Sequence, residues 1–146
     1  MENSRLDLTW RARNAVGSQT PRRYLDFIID GSSLQDALNA GERVTGLGCW
    51  DAELEDRYIL QLLTQVPGES PSGRVPIYLC GECGDLGCGA ITARVERASR
   101  VVTWRDFAVE NNYDPDMSDF ESYRGRVYRF EESLYEKLIL GRKANL

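Results

Sequence analysis

Residues 75–107 read VPIYLCGECGDLGCGAITARVERASRVVTWRDF, and the order of patterns inside this stretch decides the fold class. Val75 to Cys80 reads as a strand, and Pro76 places its beginning at a sheet edge or outside the ladder, because proline has no amide hydrogen to donate. Ala90 to Glu96 and Arg100 to Phe107 are two further strand-like runs around a turn at Ala98-Ser99, which makes them a hairpin. Between the first strand and the hairpin, residues 80–89 hold three cysteines and four glycines.

Upstream, Pro67-Gly68-Glu69-Ser70-Pro71-Ser72-Gly73 breaks regular structure. Before it, Asp51 is an N-cap for a helix from Ala52 to Gln65, in which Leu54, Tyr58, Ile59, Leu62 and Leu63 form one apolar stripe. Glu53 and Glu55 suit the first turn of that helix. Further back, Leu6-Asp7-Leu8-Thr9-Trp10 alternates apolar and polar, and Leu25, Phe27 and Ile29 repeat the period after a turn region at Gly17 to Pro21. These predict an N-terminal hairpin, with Trp10 and later Trp104 as core strand residues. A short helix over Leu34, Ala37 and Leu38 follows and stops at Gly41.

Downstream, residues 110–125 look irregular, Val127 to Phe130 is a short strand, and Leu134, Tyr135, Leu138 and Ile139 give a helix from Glu131 to Leu140. The expectation is an α+β fold: an antiparallel sheet of five or six strands with one inserted main helix and a C-terminal helix, all in a single domain over 1–146.

Composition sets the outer bounds. A chain of 146 residues, 42% hydrophobic and 28% charged, with three Trp, seven Tyr and four Phe, has the make-up of a globular domain with a sizeable core. Its longest apolar run, Tyr58 to Leu63, is far short of the roughly 20 residues a membrane span needs. The charged start, Met-Glu-Asn-Ser-Arg-Leu-Asp, does not read as a secretory signal, so a cytoplasmic protein with reduced cysteines is expected. A net charge of −5 argues against a nucleic-acid binder and leaves room for a basic partner.

Three readings of the cysteine stretch stand side by side. C-x2-C at Cys80 and Cys83, with Cys88 and Cys49 as further donors or Asp85 as a carboxylate donor, suits a structural zinc site, since two thiolates from one tight turn share a tetrahedral ion. The same C-x2-C is also the spacing of thiol redox proteins, although the residues that follow it are poor helix formers. The third reading is a glycine-rich strand connection with small cysteines packed beneath it.

Cys83-Gly84-Asp85-Leu86-Gly87-Cys88, Val102-Thr103-Trp104-Arg105-Asp106-Phe107 and Phe130-Glu131-Glu132-Ser133-Leu134-Tyr135-Glu136 together resemble a group of small, uncharacterised bacterial proteins with a C-G-D-x-G-C turn between strands and a C-terminal F-[DE]-x-x-x-Y-E helix. The resemblance covers the C-terminal half and implies an α+β fold without an established activity. It also implies that Cys83 and Cys88 are kept while Cys49 and Cys80 vary.

No familiar catalytic arrangement is visible. The chain has no histidine, no nucleophile elbow and no phosphate-binding glycine loop, so a non-catalytic protein is expected. Residues 110–123 carry five acidic side chains, three aromatics and no base. Tyr113, Asp114, Asp116, Asp119, Phe120, Glu121 and Tyr123 are therefore candidates for a surface that docks a basic protein, in the manner of an immunity protein that occludes a toxin or enzyme. The competing reading is a solvated loop whose aromatics tuck into the core.

Overall fold

The computed structural model describes residues 2–14, 16–113 and 121–141, and over them the chain is α+β. Strands β1 (Leu6–Arg13), β2 (Arg22–Ile29) and β3 (Ser32–Ser33) form one antiparallel sheet in that order. Strands β4 (Val75–Tyr78), β5 (Ala90–Ala98), β6 (Val101–Glu110) and β7 (Tyr128–Glu131) form a second, also in chain order. The strands thus divide between two sheets of three and four instead of forming one sheet of five or six. The cause is that each strand pairs with its sequence neighbour, while α1 (Leu34–Ala37), α2 (Ala52–Leu62) and the loop after it separate the two sets. After β7 the chain continues directly into α3 (Glu132–Gly141).

The two sheets are stitched at both margins by a few backbone bonds. Just ahead of β1, the Ser4 amide donates to the Arg129 carbonyl of β7 at 2.7 Å. On the far side, Leu25 in β2 donates to Leu47 at 2.9 Å, and Val44 and Leu79 exchange bonds of 2.9 and 2.7 Å. Residues 44–47 therefore bridge β2 to the end of β4, and both sheets wrap one continuous core with α2 and α3.

At its centre lies Trp104, fully buried, with Phe27, Phe130 and Tyr135 edge-on around it at centroid distances of 5.0, 5.3 and 6.2 Å. The Trp104 indole N–H donates to the Tyr135 hydroxyl, which donates to the Leu62 carbonyl at the end of α2. One hydroxyl thereby ties β6, α3 and α2 together.

Helix α2 begins where Asp51 predicts, its side chain accepting the Leu54 amide at 2.8 Å, and Tyr58, Ile59 and Leu62 of the expected stripe are buried. It stops at Leu62, three residues short of the expected end, and Thr64 adopts a positive φ of 59°. Gly46 is required here, because a Cβ on it would lie 2.2 Å from the Tyr58 ring, whose hydroxyl is itself fixed to the Ile77 carbonyl. Gly46→Ala is expected to destabilise the fold by about 1–3 kcal/mol, as overpacking a filled core does, measured as a lower midpoint in urea.

Two positions depart from simple alternation. Strand β2 is covered on both faces, so that Tyr24, Leu25, Asp26 and Phe27 are all buried in succession. Asp26 is accommodated by hydrogen bonds from the Tyr78 and Ser33 hydroxyls, each 2.6 Å, and by Arg11 at 3.5 Å. Trp10, expected in the core, is 38% exposed under the Arg23 guanidinium. No helix among the described residues is long and apolar enough to cross a membrane.

Candidate metal centre

The connection from β4 to β5 folds back on itself twice. Past the Val44–Leu79 bridge, the Gly84 amide bonds back to the Cys80 carbonyl at 2.9 Å, with Gly84 at a φ of 67° that favours glycine. Asp85 then caps a 3-10 turn, Leu86–Cys88, by accepting the Gly87 amide at 3.1 Å. The double turn brings the sulfurs of Cys80, Cys83 and Cys88 within 4.8 Å of one another, with Cys83 and Cys88 separated by 3.2 Å.

The backbone is arranged to favour thiolates. The Asp85 amide donates to Cys83 Sγ at 3.4 Å, and the nearby Cys83 and Glu82 amides favour the Cys80 thiolate. Burial opposes ionisation of Cys80, yet these amides and the neighbouring thiols outweigh it and set its pKa below the ordinary thiol value. Cys88 moves the other way, pushed up to about 12, because its proton is shared with Cys83 and Cys80 and because their charge opposes its own. Of these two thiols, Cys80 is the one whose surroundings favour the anion.

The turn is held from outside by the N-terminal hairpin. Glu82 accepts the Thr20 amide at 2.7 Å, the Thr20 hydroxyl at 2.6 Å and Arg13 at 2.9 Å. These bonds, the hydroxyl first, depress the Glu82 carboxyl to about 2. Arg22 donates to the Gly81 carbonyl at 2.8 Å, to Glu82 at 3.1 Å and to Cys49 at 3.2 Å while its guanidinium lies 4.0 Å over Trp50. The Arg13 guanidinium packs against Gly81, where a Cβ would meet it at 2.7 Å. Glu82→Ala is expected to speed hydrogen exchange of the Thr20 amide and to loosen the hairpin from the turn; an unchanged exchange rate would sink this account of the docking.

Of the four candidate metal ligands, the structure brings Cys80, Cys83 and Cys88 together, while the cluster does not include Cys49. The Cys49 carbonyl is tied to the turn through Arg22, but its half-buried thiol is pushed up to about 11 by loss of solvent. Asp85 also lies outside the cluster, and its carboxylate serves the 3-10 turn. Nor does an α-helix start at Cys83, as the redox reading would want; the chain runs into the 3-10 turn instead.

The candidate docking residues fall into three situations. Tyr113 is 82% exposed, and its ring stands over Gly87, where a Cβ would approach it at 3.2 Å. Glu121 is exposed and pairs with Arg124, whereas Tyr123 packs against the core and donates to the Leu38 carbonyl at 2.8 Å. Asp114, Asp116, Asp119 and Phe120 lie outside the described residues.

Sequence reading did not anticipate the roles of Arg13, Thr20, Arg22 and Glu82. The only local signal was a charged residue between the first two cysteines, and its partners lie about sixty residues away in the chain. In comparison with known proteins, no family model, no curated protein and no solved structure matches this chain.

Proposed function

We propose that the protein binds one zinc ion through the thiolates of Cys80, Cys83 and Cys88, and that the ion fixes the β4–β5 connection in the shape that Glu82 and Arg22 tie to the N-terminal hairpin. The observation that carries this reading is the convergence of three sulfurs within 4.8 Å of one another in one tight turn, with the Asp85 amide donating to Cys83. An all-sulfur donor set suits a borderline-soft ion and does not suit calcium or magnesium, which take oxygen. Hydrogen bonds to ligand sulfurs are the outer support such sites use to fix their ligands.

Elemental analysis of freshly purified protein tests the proposal. About one zinc per chain is expected, falling in Cys80→Ser; a metal-free wild type that takes up no added zinc would refute it.

A second reading, a non-catalytic interaction protein of immunity type that docks a basic toxin or enzyme, is favoured by Tyr113. Its ring is almost wholly in solvent beside the cysteine turn, as an unoccupied aromatic anchor would be. Binding to a basic protein that is unaffected by a Tyr113→Ala, Glu121→Lys double change would remove this surface from consideration.

A further inference from the structure

We infer that Cys83 and Cys88 are a site of oxidative modification: a hydroperoxide closes them into a disulfide, and closure expels the zinc ion from the centre. The closure stands on the placement of the two sulfurs alone, and only the expulsion of zinc rests on the metal reading above.

Geometry selects the pair. The two sulfurs are in contact at 3.2 Å, against about 2.0 Å in a disulfide, so closure asks for about 1.2 Å of approach. The double turn has already brought them together, across the intervening Gly84-Asp85-Leu86-Gly87. Both thiols are exposed, whereas Cys80 is half-buried at the root of the turn, where its carbonyl accepts the Gly84 amide. Cys49 lies outside the cluster. The reactive pair is therefore the two outer thiols, not the Cys80 and Cys83 that the C-x2-C spacing would couple.

Access decides which sulfur reacts first. Thiol oxidation follows exposure as well as thiolate character. Cys83 borders a cleft of about 470 Å3 that Leu54, Arg57 and Asn112 also line, which is ample room for a small hydroperoxide. Cys83 is therefore the attacking sulfur, and Cys88, in contact with it, is the resolving one.

The chemistry balances with the peroxide as the sole oxidant. The Cys83 thiolate attacks one peroxide oxygen, the O–O bond breaks, and the departing alkoxide takes a proton from solvent and leaves as the alcohol. Cys83 is then a sulfenic acid. The Cys88 thiolate attacks that sulfur, the S–S bond forms, and the hydroxide released takes up a second proton as water. Two sulfurs have together lost two electrons, and the O–O bond has gained them. The disulfide uses up two of the three thiolates that the zinc reading requires, and Cys80 alone is left to face the ion.

Hydrogen peroxide at one equivalent per chain is the probe, applied to the protein as purified. Thiols are counted after denaturation, the linked peptides are mapped by mass spectrometry, and released zinc is read with a coloured indicator. The four thiols should fall to two, the mapped link should join Cys83 to Cys88, and zinc should be released in step with the link. A dithiol reductant should restore all four thiols. Cys80→Ser should still form the link, because Cys80 takes no part in it, and Cys49→Ser should behave as wild type. A link that involves Cys80 or Cys49, or oxidation that stops at sulfinic acid with no link, overturns the pair. Thiols and zinc that both survive peroxide overturn the inference while the metal reading stands. A link that forms while zinc stays bound overturns the expulsion. A wild type that holds no zinc and takes up none, yet closes Cys83 to Cys88, refutes the metal reading and leaves the pair.

Discussion

Trp104→Ala lowers the free energy of unfolding by about 3–5 kcal/mol, the range for deleting a large buried aromatic. Three things add up at this position. The ring is wholly buried, it makes edge-on contacts with Phe27, Phe130 and Tyr135, and its N–H occupies a hydroxyl that also holds the end of α2. Truncation opens a cavity at the junction of β2, β6, β7 and α3 and leaves the Tyr135 oxygen without its donor in a dry environment. Since domains are stable by only about 5–15 kcal/mol in total, the variant should melt roughly 10 °C or more below wild type. Trp10→Ala is the control. That residue is 38% exposed and lies under the Arg23 guanidinium, so its loss should be much the milder of the two. Thermal unfolding followed by circular dichroism distinguishes them, and similar shifts for both tryptophans would contradict a core organised around Trp104.

The contrast between these tryptophans shows what local pattern carries. Helix α2 was legible because its signals lie within a dozen residues: the Asp51 cap, the acidic first turn and the stripe that ends in Leu62. The β5–β6 hairpin was legible for the same reason, and Pro76 does fall in the edge strand of its sheet, next to a register shift. The division into two sheets was not legible. It depends on bonds such as Ser4 to Arg129 and Leu25 to Leu47, and on Val44-Thr45-Gly46-Leu47, which is too short to announce itself as a strand. Asp26 was hidden because an acid inside an apolar run reads as an outward position, and only the folded chain supplies Tyr78 and Ser33 as partners. Trp10 carried the same alternation as a core residue, but its ring meets Arg23 and Gly48 and stays partly in solvent. At the cysteine turn, spacing pointed to the three sulfurs now seen together but also to Cys49, which the cluster does not include, while the hairpin that positions the turn lay beyond any local rule.

On the proposed zinc reading, removing metal is expected to lower stability by an amount set by zinc occupancy. A ligand that binds only the folded state contributes RT ln(1 + [L]/Kd), about 2.7 kcal/mol at a hundredfold excess over Kd and about 4.1 kcal/mol at a thousandfold. The loss should be felt first at the joint between the sheets. The three cysteines begin directly after Leu79, whose paired bonds with Val44 link β4 to residues 44–47 and thence to β2, and Glu82 carries the same turn to Thr20 and Arg13. Chelation should therefore increase hydrogen exchange at Val44, Leu79 and Thr20 before it affects Trp104 or Tyr135 in the centre. Cys83→Ser should behave like the chelated wild type and gain nothing from added zinc, whereas Cys49→Ser, outside the cluster, should keep the zinc-dependent increment. The increment should also shrink as pH falls, because protons compete with the ion for the thiolates. If chelation leaves the melting temperature and the exchange at these three amides unchanged in a protein shown to have held zinc, the ion does not clamp the joint. The hydrogen bonds of Glu82 and Arg22 would then be what holds the turn in place.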